Sequence, residues 1–224
     1  MATPQTKLKL PKPRAKSRWS ETLPIRVPSQ LLGDFFLELD VAMTDKEFEE
    51  FVQANSEMRI ERSAKGVIEV MPPAKSMTGF KNSKITSQLE YWADNDGSGL
   101  VFDSSSGFKL PNGATRAPDA SWVKRERLTT LTQDQLDDWL PLCPDFVVEL
   151  RSSSDRINRL KEKMEEYIAN GAQLGWLIDP IERRVYVYRP NTEVEILENP
   201  AFAYGEPVLS GFVLKLDKIF DSDF

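Results

Sequence analysis

A strand, a helix and a second strand in the second half of the chain constrain its fold most strongly. Residues 146–148 are Phe-Val-Val, an apolar run typical of a strand that is buried on both faces. A helix is predicted to start near Asp155, a good N-cap residue, and Leu160, Met164 and Tyr167 then recur at helical spacing. Residues 174–178 form a second apolar run. This order predicts a right-handed crossover between parallel strands, and therefore an α/β fold.

The patterns elsewhere in the chain predict further helices and strands around this motif. Residues 44–47, Thr-Asp-Lys-Glu, are a capping box that opens a helix reaching about residue 55. Alternation over residues 58–62 and 67–71 predicts a hairpin. Helices are also predicted over residues 80–95 and 132–140, and strands over residues 100–103, 108–110, 120–124, 184–189 and 194–197. The predicted fold class is α/β, a mixed β-sheet flanked by helices, with an N-terminal helix and hairpin.

The sequence contains no histidine and a single cysteine, Cys143, among 224 residues. One cysteine allows no internal disulfide, and without histidine no zinc set, imidazole base or Ser-His nucleophile pair can form. Chemistry must then come from carboxylates, lysines, hydroxyls and a hard metal, which points to Mg or Mn. No run approaches the roughly 20 apolar residues of a membrane span, and no apolar segment follows the basic N-terminus. We therefore expect a cytoplasmic protein.

The charge is divided unevenly along the chain. Residues 1–18 carry six basic and no acidic side chains, so the net charge of −6 leaves −12 on residues 19–224. The basic segment is either an arm that contacts phosphates or a solvated extension interrupted by prolines. We predict a flexible tail over residues 1–30 and a single domain over residues 31–224.

Two carboxylates and one lysine are the candidates for chemistry. Glu149 follows the apolar residues of the central strand, so its side chain enters or approaches the interior, where an unpaired charge is strongly unfavourable. Asp119 follows Pro118 at the start of a predicted strand, and Lys163 lies on the helix after Glu149. Carboxylates from neighbouring strands can hold a divalent cation, which activates water and shields a phosphodiester, while an ammonium group stabilises the anionic transition state.

Each of these residues also has a purely structural interpretation. Asp119 occupies a position typical of a turn or strand cap. Glu149 could end its strand in solvent, or pair with Arg151 or Arg116. Lys163 is flanked by charged residues, as is typical of a solvated helix face. The residues alone leave both interpretations open, although their order along the chain favours a site.

Several motifs follow one another over most of the chain. They are Pro118-Asp119, Pro-Asp-Phe-Val-Val-Glu-Leu-Arg-Ser-Ser-Ser-Asp at residues 144–155, Lys-Met-Glu-Glu-Tyr at 163–167, Gly171, and Trp-Leu-Ile-Asp-Pro at 176–180. In this order they resemble the Uma-two group of putative restriction endonucleases, which belongs to the PD-(D/E)XK nuclease superfamily. The similarity extends from about Glu47 to Leu216. It implies a restriction-endonuclease-like domain.

The resemblance also implies roles for individual residues. Asp119 corresponds to the Asp of the PD motif, Glu149 to the second acidic ligand, and Lys163 to the superfamily lysine, displaced onto the helix after the strand. Glu61, in the first hairpin, matches an upstream acidic residue, so the implied metal ligands are Asp119, Glu149 and Glu61. Arg151 stands where the superfamily pattern has lysine. Arginine stays protonated and cannot act as a base, although it can hold a phosphate.

The activity implied by the resemblance is that of an endonuclease dependent on Mg or Mn. It would hydrolyse phosphodiester bonds of nucleic acid, DNA in preference to RNA, and leave a 5′ phosphate. The analogy with restriction enzymes favours a homodimer, because two sites are needed to cut both strands together. The alternative is a non-catalytic binding or interaction module with the nuclease fold, which the acidic body and the missing strand lysine favour.

Overall fold

The computed structural model describes residues 37–221, which fall into two compact units. Unit 1 contains residues 37–73 and 113–116, and unit 2 contains residues 74–112 and 117–221. The predicted basic tail over residues 1–30 lies outside the described residues. The single domain over residues 31–224 stays a prediction.

Helices and strands both occur throughout the described residues. The strands are β1 (Leu37–Leu39), β2 (Arg59–Arg62), β3 (Ile68–Met71), β4 (Gly99–Asp103), β5 (Phe108–Lys109), β6 (Thr115–Arg116), β7 (Ala120–Lys124), β8 (Phe146–Leu150), β9 (Leu174–Asp179), β10 (Arg184–Tyr188), β11 (Glu195–Glu198), β12 (Phe202–Tyr204) and β13 (Val213–Lys215). The helices are α1 (Asp45–Ala54), α2 (Ser76–Asp96), α3 (Arg125–Leu128), α4 (Gln133–Leu136), α5 (Ile157–Ala169) and α6 (Asp217–Phe220). Within residues 37–221, no helix has the length and apolar character needed to cross a membrane.

Unit 1 is a small antiparallel sheet with one helix. Its strands lie in the order β1, β3, β2, β6, and β2 and β3 form the predicted hairpin. The chain reverses near Gly66, whose φ of 80° is in the left-handed region that glycine tolerates. The predicted capping box opens α1, since the backbone N–H of Thr44 donates to the Glu47 carboxylate at 2.8 Å and Glu47 N–H donates to Thr44 Oγ1 at 3.3 Å.

Unit 2 is built on a six-stranded sheet in the order β11, β10, β9, β8, β7, β4. Strands β8 and β9 are parallel, with Phe146 beside Leu174, and α5 connects them. The other neighbouring strands are antiparallel. The predicted parallel crossover and the mixed α/β fold class are therefore confirmed.

The core of unit 2 lies between this sheet and α2. Alternate residues of the central strand, Phe146, Val148 and Leu150, are buried in one cluster with Ile85 and Leu89 of α2. Such alternation is expected because side chains along a strand point to opposite faces in turn. Helix α2 covers this face of the sheet, and its apolar stripe, with Ile85 and Leu89 four residues apart, faces the strand.

The small sheet of β12 and β13 holds α2 in place. The side-chain amide of Gln88 donates to the carbonyl oxygen of Lys215 at 3.2 Å and accepts from its N–H at 2.8 Å. Trp92, one turn further along α2, donates from its indole nitrogen to the Ser210 carbonyl oxygen at 2.9 Å. These bonds fix the position of α2 within unit 2, and with it the side chains that α2 directs toward β7.

The boundaries of three predicted elements are wrong. Helix α2 begins at Ser76 and not at residue 80. Its first residues carry no buried apolar side chain, so the apolar periodicity of the sequence did not include them. Helix α4 ends at Leu136 and not at 140, because the backbone of Leu140 bonds to residues 107 and 109 instead. Asp155 does not cap α5, since its carboxylate accepts from the N–H and hydroxyl of Ser152.

Two glycines of unit 2 should respond in opposite ways to substitution by alanine. A Cβ atom at Gly99 would overlap with the indole ring of Trp122 and the carbonyl oxygen of Val123, whereas one at Gly79 in α2 would meet no atom. We expect Gly99→Ala to lower the free energy of unfolding by about 1–3 kcal/mol because the core is overpacked. Gly79→Ala should raise it by about 0.5–1 kcal/mol through helix propensity. Urea unfolding measures both, and a Gly99→Ala variant as stable as the wild type would contradict the packing.

Candidate active site

The carboxylate of Glu149 is buried and meets two side chains of α5. Glu149 is 2% exposed within β8. The ammonium nitrogen of Lys163 lies 2.8 Å from Glu149 Oε1, and the hydroxyl of Tyr167 donates to the same oxygen at 3.0 Å. Lys163 and Tyr167 are four residues apart, so they project from the same face of the helix. The crossover from β8 through α5 therefore supplies both partners of the carboxylate.

Asp119 lies against the same part of β8. Its backbone N–H donates to the Val148 carbonyl oxygen at 3.0 Å, and its Oδ2 accepts from the N–H of Leu150 at 2.8 Å. These bonds reach the two neighbours of Glu149 in sequence. Asp119 directly precedes β7, and Glu149 lies near the end of β8. Because β7 and β8 are antiparallel, the two carboxylates belong to the same end of the strand pair.

Asp119 has a further neighbour on α2. The amide nitrogen of Asn82 lies 3.4 Å from Asp119 Oδ1, and Asp119 itself is only 5% exposed. Asp119 directly precedes β7, and its carboxylate accepts from the backbone of β8, so the strand-cap interpretation fits the structure as well as the ligand interpretation does. Helices α2 and α5 thus both contribute side chains to this end of the sheet.

The structure places the other residues named by the structural interpretations. The guanidinium of Arg151 lies 2.6 Å from the carboxylate of Asp179, whose side chain has no exposed surface. The Lys163 side chain is 10% exposed, so it does not lie on a solvated face. Glu149 therefore does not end its strand in solvent, and a short ion pair with Lys163 balances its charge.

Glu61 is in β2 of unit 1 and is 1% exposed. Its carboxylate lies 3.2 Å from the guanidinium of Arg116 and 3.3 Å from that of Arg59. Arg116 also pairs with Glu69. Within residues 37–221, no group of three or more acidic or cysteine side chains is arranged to hold a metal ion. The role of Glu61 as a metal ligand stays a prediction.

The sequence patterns did not identify Tyr167 and Asn82 as parts of the site. Tyr167 was interpreted as one of the apolar residues of α5, and its position four residues after Lys163 is the signal that could have found it.

The thiol of Cys143 donates to the Tyr167 carbonyl oxygen at 3.4 Å, and burial raises the pKa of this thiol to about 12. The thiol therefore stays protonated at neutral pH and keeps its hydrogen bond to the Tyr167 carbonyl oxygen.

The donor set at the end of β7 and β8 fits a hard cation. Asp119 and Glu149 offer carboxylate oxygens, which Mg and Mn prefer over nitrogen or sulfur ligands. Each carboxylate oxygen has two lone pairs, so a carboxylate that accepts a hydrogen bond can also coordinate a cation. The residues present are therefore suited to a divalent ion held by oxygen.

Comparisons with known proteins bear on the family and the fold of this chain. The family model described as Uma2, putative restriction endonuclease, matches residues 45–217. The chain is also similar in structure to a putative nuclease belonging to DUF820 from Anabaena variabilis ATCC 29413, with a TM-score of 0.62 and 21% sequence identity. That similarity covers 72% of this chain and 89% of the other, and at this identity it supports the fold alone. The search of curated proteins gave no match.

Proposed function

We propose that this chain, which belongs to the Uma2 family of putative restriction endonucleases, is a divalent-metal-dependent endonuclease that hydrolyses phosphodiester bonds of nucleic acid. The observation that carries the proposal is the pair of buried carboxylates, Asp119 and Glu149, at one end of neighbouring strands, with the Lys163 ammonium beside Glu149. DNA is the proposed substrate in preference to RNA, in keeping with the description of the family. Membership of the family supports nuclease activity in general, and the metal and the substrate are part of the proposal.

Asp119 and Glu149 would hold the cation. A bound Mg or Mn ion supplies Lewis acidity, which lowers the pKa of water and neutralises charge on a phosphodiester. The Leu150 N–H holds one oxygen of Asp119, and the Tyr167 hydroxyl holds one oxygen of Glu149. These bonds restrict the rotation of both carboxylates, so their oxygens are oriented before a ligand arrives.

Lys163 would bind and stabilise the phosphate undergoing attack. Its ammonium nitrogen is held 2.8 Å from Glu149 Oε1, so its charge stays near the carboxyl end of β8 instead of sampling solvent. A fixed ammonium group stabilises an anionic transition state more strongly in a buried site than in water. Lys163 is the proposed third member of the active site, where its positive charge would stabilise the phosphate.

The expected activity is cleavage of plasmid DNA that requires Mg or Mn and stops on addition of EDTA. Supercoiled plasmid and a labelled RNA of similar length should be incubated with the purified full chain, and the products separated on gels. A labelled product end tests for the 5′ phosphate. Cleavage of RNA but not DNA would contradict DNA as the substrate. Cleavage that persists in EDTA would contradict the requirement for a metal.

Metal binding separates the nuclease from a non-catalytic module that keeps this fold. A ligand that binds only the folded state raises its stability, so millimolar Mn should raise the melting temperature of the wild-type protein. The absence of both a melting shift and cleavage would favour the module. Gel filtration with light scattering tests the proposed homodimer, in which two copies of the site would cut the two strands.

A further inference from the structure

The amide of Asn82 is unusual among the polar side chains of α2. Ser83, Ser87 and Asn95 each donate to a backbone carbonyl oxygen three or four residues earlier in the same helix. Asn82 instead reaches out of its helix, and its nitrogen lies 3.4 Å from Asp119 Oδ1. It is therefore directed at the candidate site and not at its own helix.

The oxygen of this amide has no hydrogen-bond partner. Among the residues that the structure describes, Asn82 Oδ1 is one of the buried side-chain atoms that neither accept nor donate a hydrogen bond. A buried acceptor of this kind is unfavourable, and proteins keep few of them. An unsatisfied oxygen on a side chain that contacts a buried carboxylate through its nitrogen needs a physical reason, and an amide that turns its oxygen toward a bound ion is one.

We propose that Asn82 is a further ligand of the divalent cation, through its amide oxygen, beside Asp119 and Glu149. The inference rests on the proposed metal-dependent function. Amide oxygens are hard, neutral donors that coordinate cations of this class together with carboxylates. Asn82 thus adds an oxygen ligand without adding negative charge to a site that already holds two carboxylates.

Asn82 can serve the site both with and without the cation. Without a cation the amide nitrogen faces Asp119, and the N–H donor partly balances the charge of this carboxylate. The oxygen and nitrogen of an asparagine amide are similar in size, so a half-turn about the Cβ–Cγ bond exchanges their positions. The same side chain therefore offers a donor to the empty site and an acceptor to the occupied one.

The test is the affinity of the purified full chain for Mn, measured by calorimetry with the wild type and Asn82→Ala. We expect the affinity to fall about tenfold or more, in the range found when groups that support a metal site are removed. The melting temperature of the metal-free protein should fall only slightly, because the deleted oxygen is unsatisfied there and the deleted N–H makes only a long contact with Asp119, at 3.4 Å. Asn95→Ala is the matched control on the same helix, and its Mn affinity should be unchanged.

A second variant keeps the proposal falsifiable if Asn82→Ala fails to fold. Asn82→Asp retains an oxygen donor but places a third negative charge beside Asp119, so it should melt earlier without metal and show a larger Mn-induced rise in melting temperature than the wild type. Wild-type Mn affinity in Asn82→Ala, or no added Mn response in Asn82→Asp, would overturn the role of Asn82.

The outcomes also separate this inference from the proposed function. If the wild type binds no Mn, the metal-dependent function fails, and the role of Asn82 fails with it. If Asp119→Asn loses Mn binding while Asn82→Ala binds normally, the metal site stands and only the role of Asn82 is overturned.

Discussion

Asp119→Asn and Glu149→Gln should each reduce metal-dependent cleavage by on the order of a thousandfold, since a bound metal contributes several kcal/mol to stabilising charge in the transition state. Asp119→Asn is the sharper test. Asparagine keeps an oxygen that can accept from the Leu150 N–H, the bond that Asp119 Oδ2 makes at 2.8 Å. The variant thus removes the charge needed for a cation while preserving the local hydrogen bond. Initial rates of plasmid nicking at saturating Mg measure the effect.

The matched control for Asp119→Asn is Asp103→Asn. Asp103 is the exposed last residue of β4, the strand beside β7, and its carboxylate accepts from the N–H and hydroxyl of Ser105. This variant should cleave at the wild-type rate. Equal cleavage by wild type and Asp119→Asn would show that the measured activity comes from a contaminant or from another site.

Lys163→Met should lower the free energy of unfolding by about 3–5 kcal/mol, the range found when one partner of a buried ion pair is removed. The ammonium of Lys163 and the carboxylate of Glu149 are 2.8 Å apart, with side chains 10% and 3% exposed. Methionine has a similar length, so packing along α5 is preserved while the charge is lost. Urea unfolding at neutral pH measures the change, and cleavage should be lost as well.

A double variant shows whether the unpaired charge causes this instability. Lys163→Met combined with Glu149→Gln removes both charges, so it should be more stable than Lys163→Met alone, and the two changes should be strongly non-additive. Lys161→Met is the control on the same helix. Lys161 lies 4.4 Å from the ring centre of Tyr186, and loss of such a contact is worth only about 0.5–1 kcal/mol. Additive effects in the double variant would contradict the pairing of Lys163 with Glu149.

The site could be predicted only as a set of residue types. The apolar run before Glu149 indicated a buried carboxylate that needs a partner, and the order of Asp119, Glu149 and Lys163 along the chain indicated a site. The sequence could not say whether Arg151 or Lys163 would meet Glu149. Arg151 pairs with Asp179 at 2.6 Å, a residue 28 positions away, and only the parallel pairing of β8 with β9 makes that contact available.

The contribution of α2 was hidden for a related reason. Asn82 lies in a polar part of the helix, where nothing in the pattern marks it. Its contact with Asp119 joins residues 37 positions apart, and it depends on how α2 packs on the sheet and how Gln88 holds β13. The spacing of apolar residues along the chain carries no information about such packing.

The sequence by itself determined the α/β class, the parallel crossover and the capping box of α1. These features follow from the spacing of apolar and capping residues within a few turns of helix or one strand, where local sterics and burial dominate. Only the tertiary structure decided which side chain meets which carboxylate: Lys163 and Tyr167 at Glu149, Leu150 N–H and Asn82 at Asp119. Ion pairs and hydrogen bonds act over a few ångströms, so the choice among partners is made by packing between distant segments.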